Sequence, residues 1–425
     1  MKIPIIAALL ACIALFTPAV RAADEPVDFN QARQYLERRQ RGEALTAEED
    51  AYLRRAMAER QRQQDPASPG AAGIDLEKAR AIFQRQQAGE RVSAEDEAYL
   101  RRAKAARAGG GGGQRPPAPP PWTQPLTPLT ELGPRMYKGE AGGLYGGGRN
   151  EPPESHRAAA MREAAKIRPL DAAGNASADG RIGFLSVGMS NTTQEFSRFM
   201  QIAHLDQAKS RRVVLIDGAQ GGQTGLRWAD PQSPLWQRVD ERLTAAGLSA
   251  RQVQAAWMKQ AEAGPAQYGD FPKHARQLQA SLVQSLANLK RKFPNLRLVY
   301  LSSRIYAGYA TTALNPEPYA YEEAFTMRWL IQDQIAGNPE LNYDPTRGTV
   351  QSPLLLWGPY LWADGLTPRQ ADGLTYSRAD FSSSDGTHPT DSGRQKVAEL
   401  LLKFLRTDPT AQPWFTGQSG GDRSR

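Results

Sequence analysis

Only four histidines, His156, His204, His274 and His388, stand in the 425 residues, so a hydroxyl acting as a nucleophile has few bases to choose from. His388 lies in the polar stretch SSSDGTHPTDSG, with Asp385 three residues before it. That spacing lets one loop present a carboxylate to one ring nitrogen while the other nitrogen faces a serine. Ser190 is the serine to pair with it, because the run IGFLSVGMSN, Ile182 to Asn191, is apolar up to a glycine and then hands over to that hydroxyl. Such a run reads as a buried parallel strand, and open α/β sheets bind ligands just beyond the carboxyl ends of their strands. The chemistry expected is attack by a hydroxyl with a histidine taking its proton.

The other histidines read as structural: His204 in or near the packing face of the helix after Ser190, His274 at the start of a long amphipathic helix, His156 in an irregular stretch. RRVVLIDGAQGGQTG is a second strand that ends at Asp217 and opens into Gly218, Gly221, Gly222 and Gly225. Glycines there let a backbone N–H approach a ligand closely, as a phosphate cradle or as an oxyanion donor. A Walker lysine and a dinucleotide fingerprint are both absent, which favours the oxyanion donor. Ser302 and Ser303 end another strand and are rival nucleophiles. GQSGG, Gly417 to Gly421, matches the Gly-x-Ser-x-Gly elbow, but no strand precedes it and no helix follows. No His or Cys pair has ligand spacing, and the Asp171 to Gly180 series lacks a bidentate Glu at its twelfth position, so neither a metal nor a cofactor is expected.

The elements that must hold these residues alternate. Strands are expected at Ile182 to Val187, Arg212 to Asp217, Val253 to Lys259, Leu296 to Ser302 and Pro353 to Trp357. Helices are expected near Thr193 to Ala208, Leu235 to Ala246, Phe271 to Lys292, Tyr321 to Ala336 and Asp391 to Leu405. The pattern predicts an α/β fold, a three-layer α/β/α sandwich on a mostly parallel sheet of about five strands. In the last helix Val397, Leu400, Leu401, Phe404 and Leu405 form one stripe. Residues 126–181 read as an irregular lead-in with one helix around Ser155 to Ile167, and the Gly/Ser/Arg tail, 416–425, as disordered. Trp228, Trp236, Trp257, Tyr306, Tyr309, Tyr360 and Trp362 fall near strand ends, where aromatics either stack on sugar rings or fill the core.

The first 22 residues, one lysine followed by an apolar run and Ala22, read as a secretory signal peptide, too short for a transmembrane anchor. Export to the periplasm or medium of a bacterium follows. The one cysteine, Cys12, lies inside that segment, so the mature chain would hold no disulfide, and a lipid anchor at Cys12 is the minor reading. Within 29–107, residues 31–60 recur at 78–107 with an offset of 47, each copy a helical hairpin whose second helix opens at Thr46 or Ser93 with Glu49 or Asp96 three residues on. The repeats read as a docking module for the envelope or a protein partner, or as a solvated spacer. Residues 108–125 are a Gly/Pro-rich linker. The net charge of +8 is concentrated in arginines interleaved with glutamates in the repeats, which argues against a nucleic-acid track.

GMSN after the first strand, GGQT after the second and DGTHP before the last helix resemble blocks one, two and five of the SGNH/GDSL hydrolases, across 182–409. Gly-x-Ser-Asn is also similar to the sialate-acetylesterase-like branch. The resemblance implies Ser190 as nucleophile, His388 as base and Asp385 as its orienter, with the N–H groups of Ser190 and Gly222 as oxyanion donors. The family's Gly-x-Asn-Asp is missing from the third strand, VQAAWMKQAEAGP, where Gln260 is the expected replacement and Lys259 the next choice. The activity implied is a serine esterase that deacylates, chiefly deacetylates, a carbohydrate or other small ester. Acyl transfer to an envelope sugar, or a non-catalytic carbohydrate-binding role, are the alternatives.

Overall fold

The computed structural model describes residues 122–417 throughout and scattered positions from 28 to 109. The expected signal peptide, most of the linker, and the tail from 418 on, including Ser419 of the GQSGG decoy, lie outside the described residues. The chain divides into two units, Met1–Gln114 and Arg115–Arg425.

In the first unit the repeat of sequence is a repeat of contacts. Ala32, Leu53 and Ala56 form a small buried cluster with Leu45 and Tyr52 against it; 47 residues on, Ala79, Leu100 and Ala103, joined by Ile82, do the same with Val92 and Tyr99. Each copy therefore closes on its own few apolar side chains. Thr46 and Glu49 complete a capping box, the Glu49 N–H donating to Thr46 Oγ1 at 3.2 Å and the Thr46 N–H to Glu49 Oε2 at 2.9 Å. In the second copy the Asp96 N–H donates to Ser93 Oγ at 3.1 Å, opening the helix Ala94–Gly109. A contact that spacing did not suggest ties each hairpin shut: the N–H of Asp28 donates to Tyr52 Oη at 2.8 Å, and that of Asp75 to Tyr99 Oη at 2.6 Å.

In the second unit the elements alternate as β1 Ile182–Gly188, α1 Ser190–Leu205, β2 Val213–Ile216, α2 Leu235–Ala245, β3 Val253–Lys259, α3 Lys273–Lys292, β4 Leu298–Leu301, α4 Tyr319–Ala336, β5 Leu354–Trp357 and α5 Asp391–Thr407. Every pair in the five-stranded sheet is parallel and the order is β2-β1-β3-β4-β5, the doubly wound arrangement expected of an α/β sandwich; a separate antiparallel pair, Met136–Tyr137 with Glu140–Ala141, lies in the lead-in. Right-handed crossovers then place α1 and α5, which pack together, on one face, and α3 and α4 on the other. β1, β3, β4 and β5 are buried along their whole length because helices cover both faces, which is why they read as unbroken apolar runs. The expected strands and helices are all present with ends shifted by a few residues. The shift that matters is at α1, which begins at Ser190 itself and leaves Met189 as the single joint between strand and helix.

The lead-in lies along α4 and β5. Tyr321 Oη donates to the Thr127 carbonyl at 2.9 Å, the Leu129 N–H to Tyr360 Oη at 3.0 Å, and Trp357 Nε1 to the Leu144 carbonyl at 2.7 Å. Its helix is Glu154–Ala164. Covered by sheet and lead-in, α4 is buried at every residue from Ala320 to Ile331. At the other end Gln412–Thr416 is a short helix whose Trp414 and Phe415 are buried, with the Trp414 ring 5.5 Å from that of Phe184, so Thr416 belongs to a helix and not to the expected tail. The aromatics at strand ends are core, since Trp228, Trp236, Trp257, Tyr306, Tyr360 and Trp362 are all buried and only Tyr309 is half-buried.

Candidate active site

Three segments meet beyond the carboxyl ends of β1 and β2. Gly188 ends β1 because no side chain fits there: a Cβ would lie 2.3 Å from both the Lys259 carbonyl and Thr192 Oγ1. This close approach seats α1 directly on the strand end, with Ser190 in its first turn, where backbone N–H groups have no partner within the helix.

Ser190 Oγ lies 2.8 Å from His388 Nε2, and His388 Nδ1 lies 2.7 Å from Asp385 Oδ2. An ionised carboxylate only accepts, so Nδ1 carries the ring proton and Nε2 is left to accept from the serine hydroxyl. Asp385 Oδ1 also accepts from the N–H groups of Thr387, at 2.8 Å, and His388, at 3.0 Å. Burial pushes the Asp385 carboxyl up, but its bonds from the His388 ring and these two N–H groups outweigh burial and hold it below the usual carboxylate range. The loop of His388 is fastened to the helix of Ser190 by Asn191, whose Nδ2 donates to the Thr387 carbonyl at 3.0 Å.

The glycine turn stands against the serine. The Gln220 N–H donates to the Gly188 carbonyl at 3.1 Å and the Gln223 N–H to the Gln220 carbonyl at 3.2 Å, closing a turn whose third residue, Gly222, has φ of +75°. Gly221 faces Ser190 most closely, since a Cβ on it would sit 3.9 Å from Ser190 Cβ. Below the turn, Asp217 ties strand, helix and loop together: it accepts from Ser186 Oγ at 2.6 Å and from Thr193 Oγ1, while Ser186 Oγ accepts from the Ala219 N–H at 3.2 Å. Burial pushes Asp217 up to about 6.

The two side chains expected to complete an oxyanion site are occupied elsewhere. Gln260 Nε2 donates to the Gln223 carbonyl at 3.3 Å and its Oε1 accepts from the Ala261 N–H at 3.0 Å, so this amide braces the glycine turn from β3. Lys259 Nζ is 2.5 Å from both carboxylate oxygens of Glu195, with both side chains buried. Burial alone would raise Glu195 and lower Lys259, and each opposes the other's shift, so the pair as a unit carries no net charge. Nothing in the sequence pairs residues 64 positions apart, and this contact was not foreseen.

The remaining candidates fall away from the site. His156 Nε2 donates to the Leu355 carbonyl at 2.8 Å, and His274 Nε2 lies 2.7 Å from Glu322 Oε2 in the core. His204 is exposed rather than near the packing face of its helix. Ser302 Oγ bonds the Pro359 carbonyl, and Ser303 Oγ accepts from the Leu361 N–H; both serines are buried and structural.

No protein-family model matches the sequence, and no curated protein matches it. Solved structures similar to it include a lipase from a goat rumen metagenome, 13% identical over 52% of this chain and 96% of its own, with a TM-score of 0.31. A protein of Arabidopsis thaliana is 14% identical over 51% of this chain and 69% of its own, at a TM-score of 0.26. The salicylyl-acyltransferase of a tetracycline biosynthetic pathway is 14% identical over 56% of this chain and 58% of its own, at 0.28.

Proposed function

We propose that this protein is an exported serine esterase of the SGNH type that removes acyl groups, chiefly acetyl, from carbohydrate esters. The observation that carries the reading is the continuous chain of hydrogen bonds Ser190–His388–Asp385 at 2.8 and 2.7 Å. Ser190 Oγ attacks the ester carbonyl as His388 Nε2 takes its proton, and the Asp385 carboxylate steadies the imidazolium that results. The oxygen of the tetrahedral adduct gains its negative charge beside the Ser190 N–H, at the positive end of α1, and beside the Gly221–Gly222 turn. Collapse expels the sugar alkoxide, which receives the proton from His388 and leaves an acyl group on Ser190. Water, deprotonated by His388, then releases the acid.

Gln260 serves this scheme at one remove, by holding the turn that presents its N–H groups. Export rests on the first 22 residues and is checked by fractionating cells that express the full chain. The chemistry is checked with a fluorophosphonate probe and a chromogenic acetyl ester. Covalent labelling confined to Ser190 and lost in His388→Ala is the expected result; full acetylesterase activity in Ser190→Ala would overturn the reading.

A further inference from the structure

Two adjoining clefts lie at the amino ends of β4 and β5, the end of the sheet away from Ser190. The first, of about 240 Å³, is walled by Pro294, Leu296, Pro345, Val350, Pro353 and Leu354. The second, of about 210 Å³ at the end of α4, is lined by Asn338, Thr349 and Gln351 beside Arg347. Tyr343 lines both, so the two run into one another. The acyl-transfer steps use neither.

The charges around these clefts do not balance. Lys166, Lys290 and Arg297 line the first with a single carboxylate, Glu163. That carboxylate is shared, Oε1 lying 2.5 Å from Lys166 Nζ and Oε2 3.6 Å from Arg297 Nη1. Lys290 has no carboxylate partner among the described residues; its Nζ donates to the carbonyls of Pro294 at 2.9 Å and Leu296 at 2.8 Å. Those two bonds fix the ammonium at the cleft wall and leave its third N–H unspent. Burial, and then the neighbouring charges of Arg297 and Lys166, pull Lys290 down to about 8 against the pull of Glu163, so it keeps its charge at neutral pH. In the second cleft Arg347 makes no hydrogen bond or ion pair among the described residues. Asp344, close by in the chain, is spent on the N–H and hydroxyl of Thr346. Surplus charge of one sign against apolar walls focuses the field on whatever enters.

We propose that the paired clefts bind a chain of acidic sugars, the carboxylate of a uronic acid resting on Lys166, Lys290 and Arg297 and the next sugar lying in the second cleft. The C–H face of the first ring meets the prolines and Tyr343, and the hydroxyls of the second meet Asn338, Thr349 and Gln351. An inorganic phosphate or a nucleic-acid backbone would use the cations and leave the apolar walls idle; a carboxylated sugar uses both. This site goes beyond the esterase reading and does not depend on it.

The test is titration calorimetry of the full chain with a short galacturonic acid oligomer, a galactose oligomer of the same length, inorganic phosphate, and a single-stranded DNA of equal charge. The galacturonic acid oligomer is expected to bind at least roughly tenfold more tightly than each of the others. Lys166 and Arg297 are partly exposed, and Lys166→Gln with Arg297→Gln is expected to weaken that binding by roughly tenfold or more. The same loss of charge at two exposed positions elsewhere, Arg211→Gln with Arg238→Gln, should change it less than threefold. Absent binding, equal binding of the neutral oligomer, phosphate or DNA bound as tightly, or equal loss in the two double variants would each overturn the proposal. Should the cleft variant not fold, the unsubstituted protein decides through carbodiimide coupling of the galacturonic acid oligomer, read by peptide mass spectrometry. Amide formation at Lys166 or Lys290 supports the site, and coupling only at other lysines refutes it.

Discussion

The two helical hairpins and the α/β unit hold their tyrosines, serines and carboxylates in place by opposite means. Each hairpin is closed from within about 30 residues, by a handful of apolar side chains and one tyrosine reaching 24 residues back to an aspartate N–H. The site is closed by pieces nearly 200 residues apart: Ser190 with His388, and Asn191 with the Thr387 carbonyl. Local closure makes a module that survives the loss of its neighbour. Long-range closure makes a site that tolerates almost no displacement.

The sharpest way to separate the two is at Ser190. Ser190→Ala, and Asp385→Asn with the wrong imidazole tautomer, are each expected to lower ester turnover on the order of 10,000-fold. Circular dichroism should show the helices of both units intact. Removal of residues 31–107 should leave turnover of a small soluble ester within a few-fold of the full chain; an equal collapse would mean that the repeats take part in the site.

A second probe is Gly188→Ala. The added Cβ meets the Lys259 carbonyl and Thr192 at 2.3 Å, so strand and helix must part, at an expected cost of about 1–3 kcal/mol in denaturant unfolding and a loss of activity as Ser190 moves. Stability equal to the parent's would show that the joint is looser than the contacts imply.

The units should also answer differently to pH. Burial raises Glu323 to about 8, Glu317 to about 7 and Asp217 to about 6, so between pH 5 and 7.5 the folded α/β unit holds protons that the unfolded chain has released. Stability therefore rises as the pH falls through that window. His156, lowered by burial, opposes this only below its unfolded value of 6.5, and below about pH 4 the depressed carboxylates Asp385, Asp380 and Asp372 lose their contribution. Scanning calorimetry should find a higher midpoint for this unit at pH 6 than at pH 7.5, with the hairpins, whose Glu49 is shifted downward, nearly flat. The smallest effect expected is in Tyr52→Phe and Tyr99→Phe: faster amide exchange in the affected hairpin, worth about 1 kcal/mol of local protection, and no change in ester turnover.

What could be read from the chain follows the same division. Periodicity and apolar runs depend on neighbours, and they marked Val253 to Lys259 as a strand to the residue, the 47-residue duplication and the Thr46–Glu49 box. The Ser190–His388–Asp385 hydrogen-bonded arrangement could be anticipated because histidines are so few that one loop with an aspartate three residues ahead of its histidine had little competition. Contacts that depend on which strands lie side by side left no trace. Lys259 looked like a donor at a strand end, and only the fold shows Glu195 waiting for it on the adjacent helix. Thr416, expected to open the tail, instead ends a short helix whose Trp414 and Phe415 are core.

The hydrogen bond from Asn191 to the Thr387 carbonyl has a temporal meaning as well. A chain made from its amino end exposes Ser190 long before the loop at 385–388 exists, and no nearer histidine is placed to serve that hydroxyl. On the proposed chemistry, the growing chain carries a silent serine until the loop at 385–388 docks against α1, where Asn191 donates to the Thr387 carbonyl.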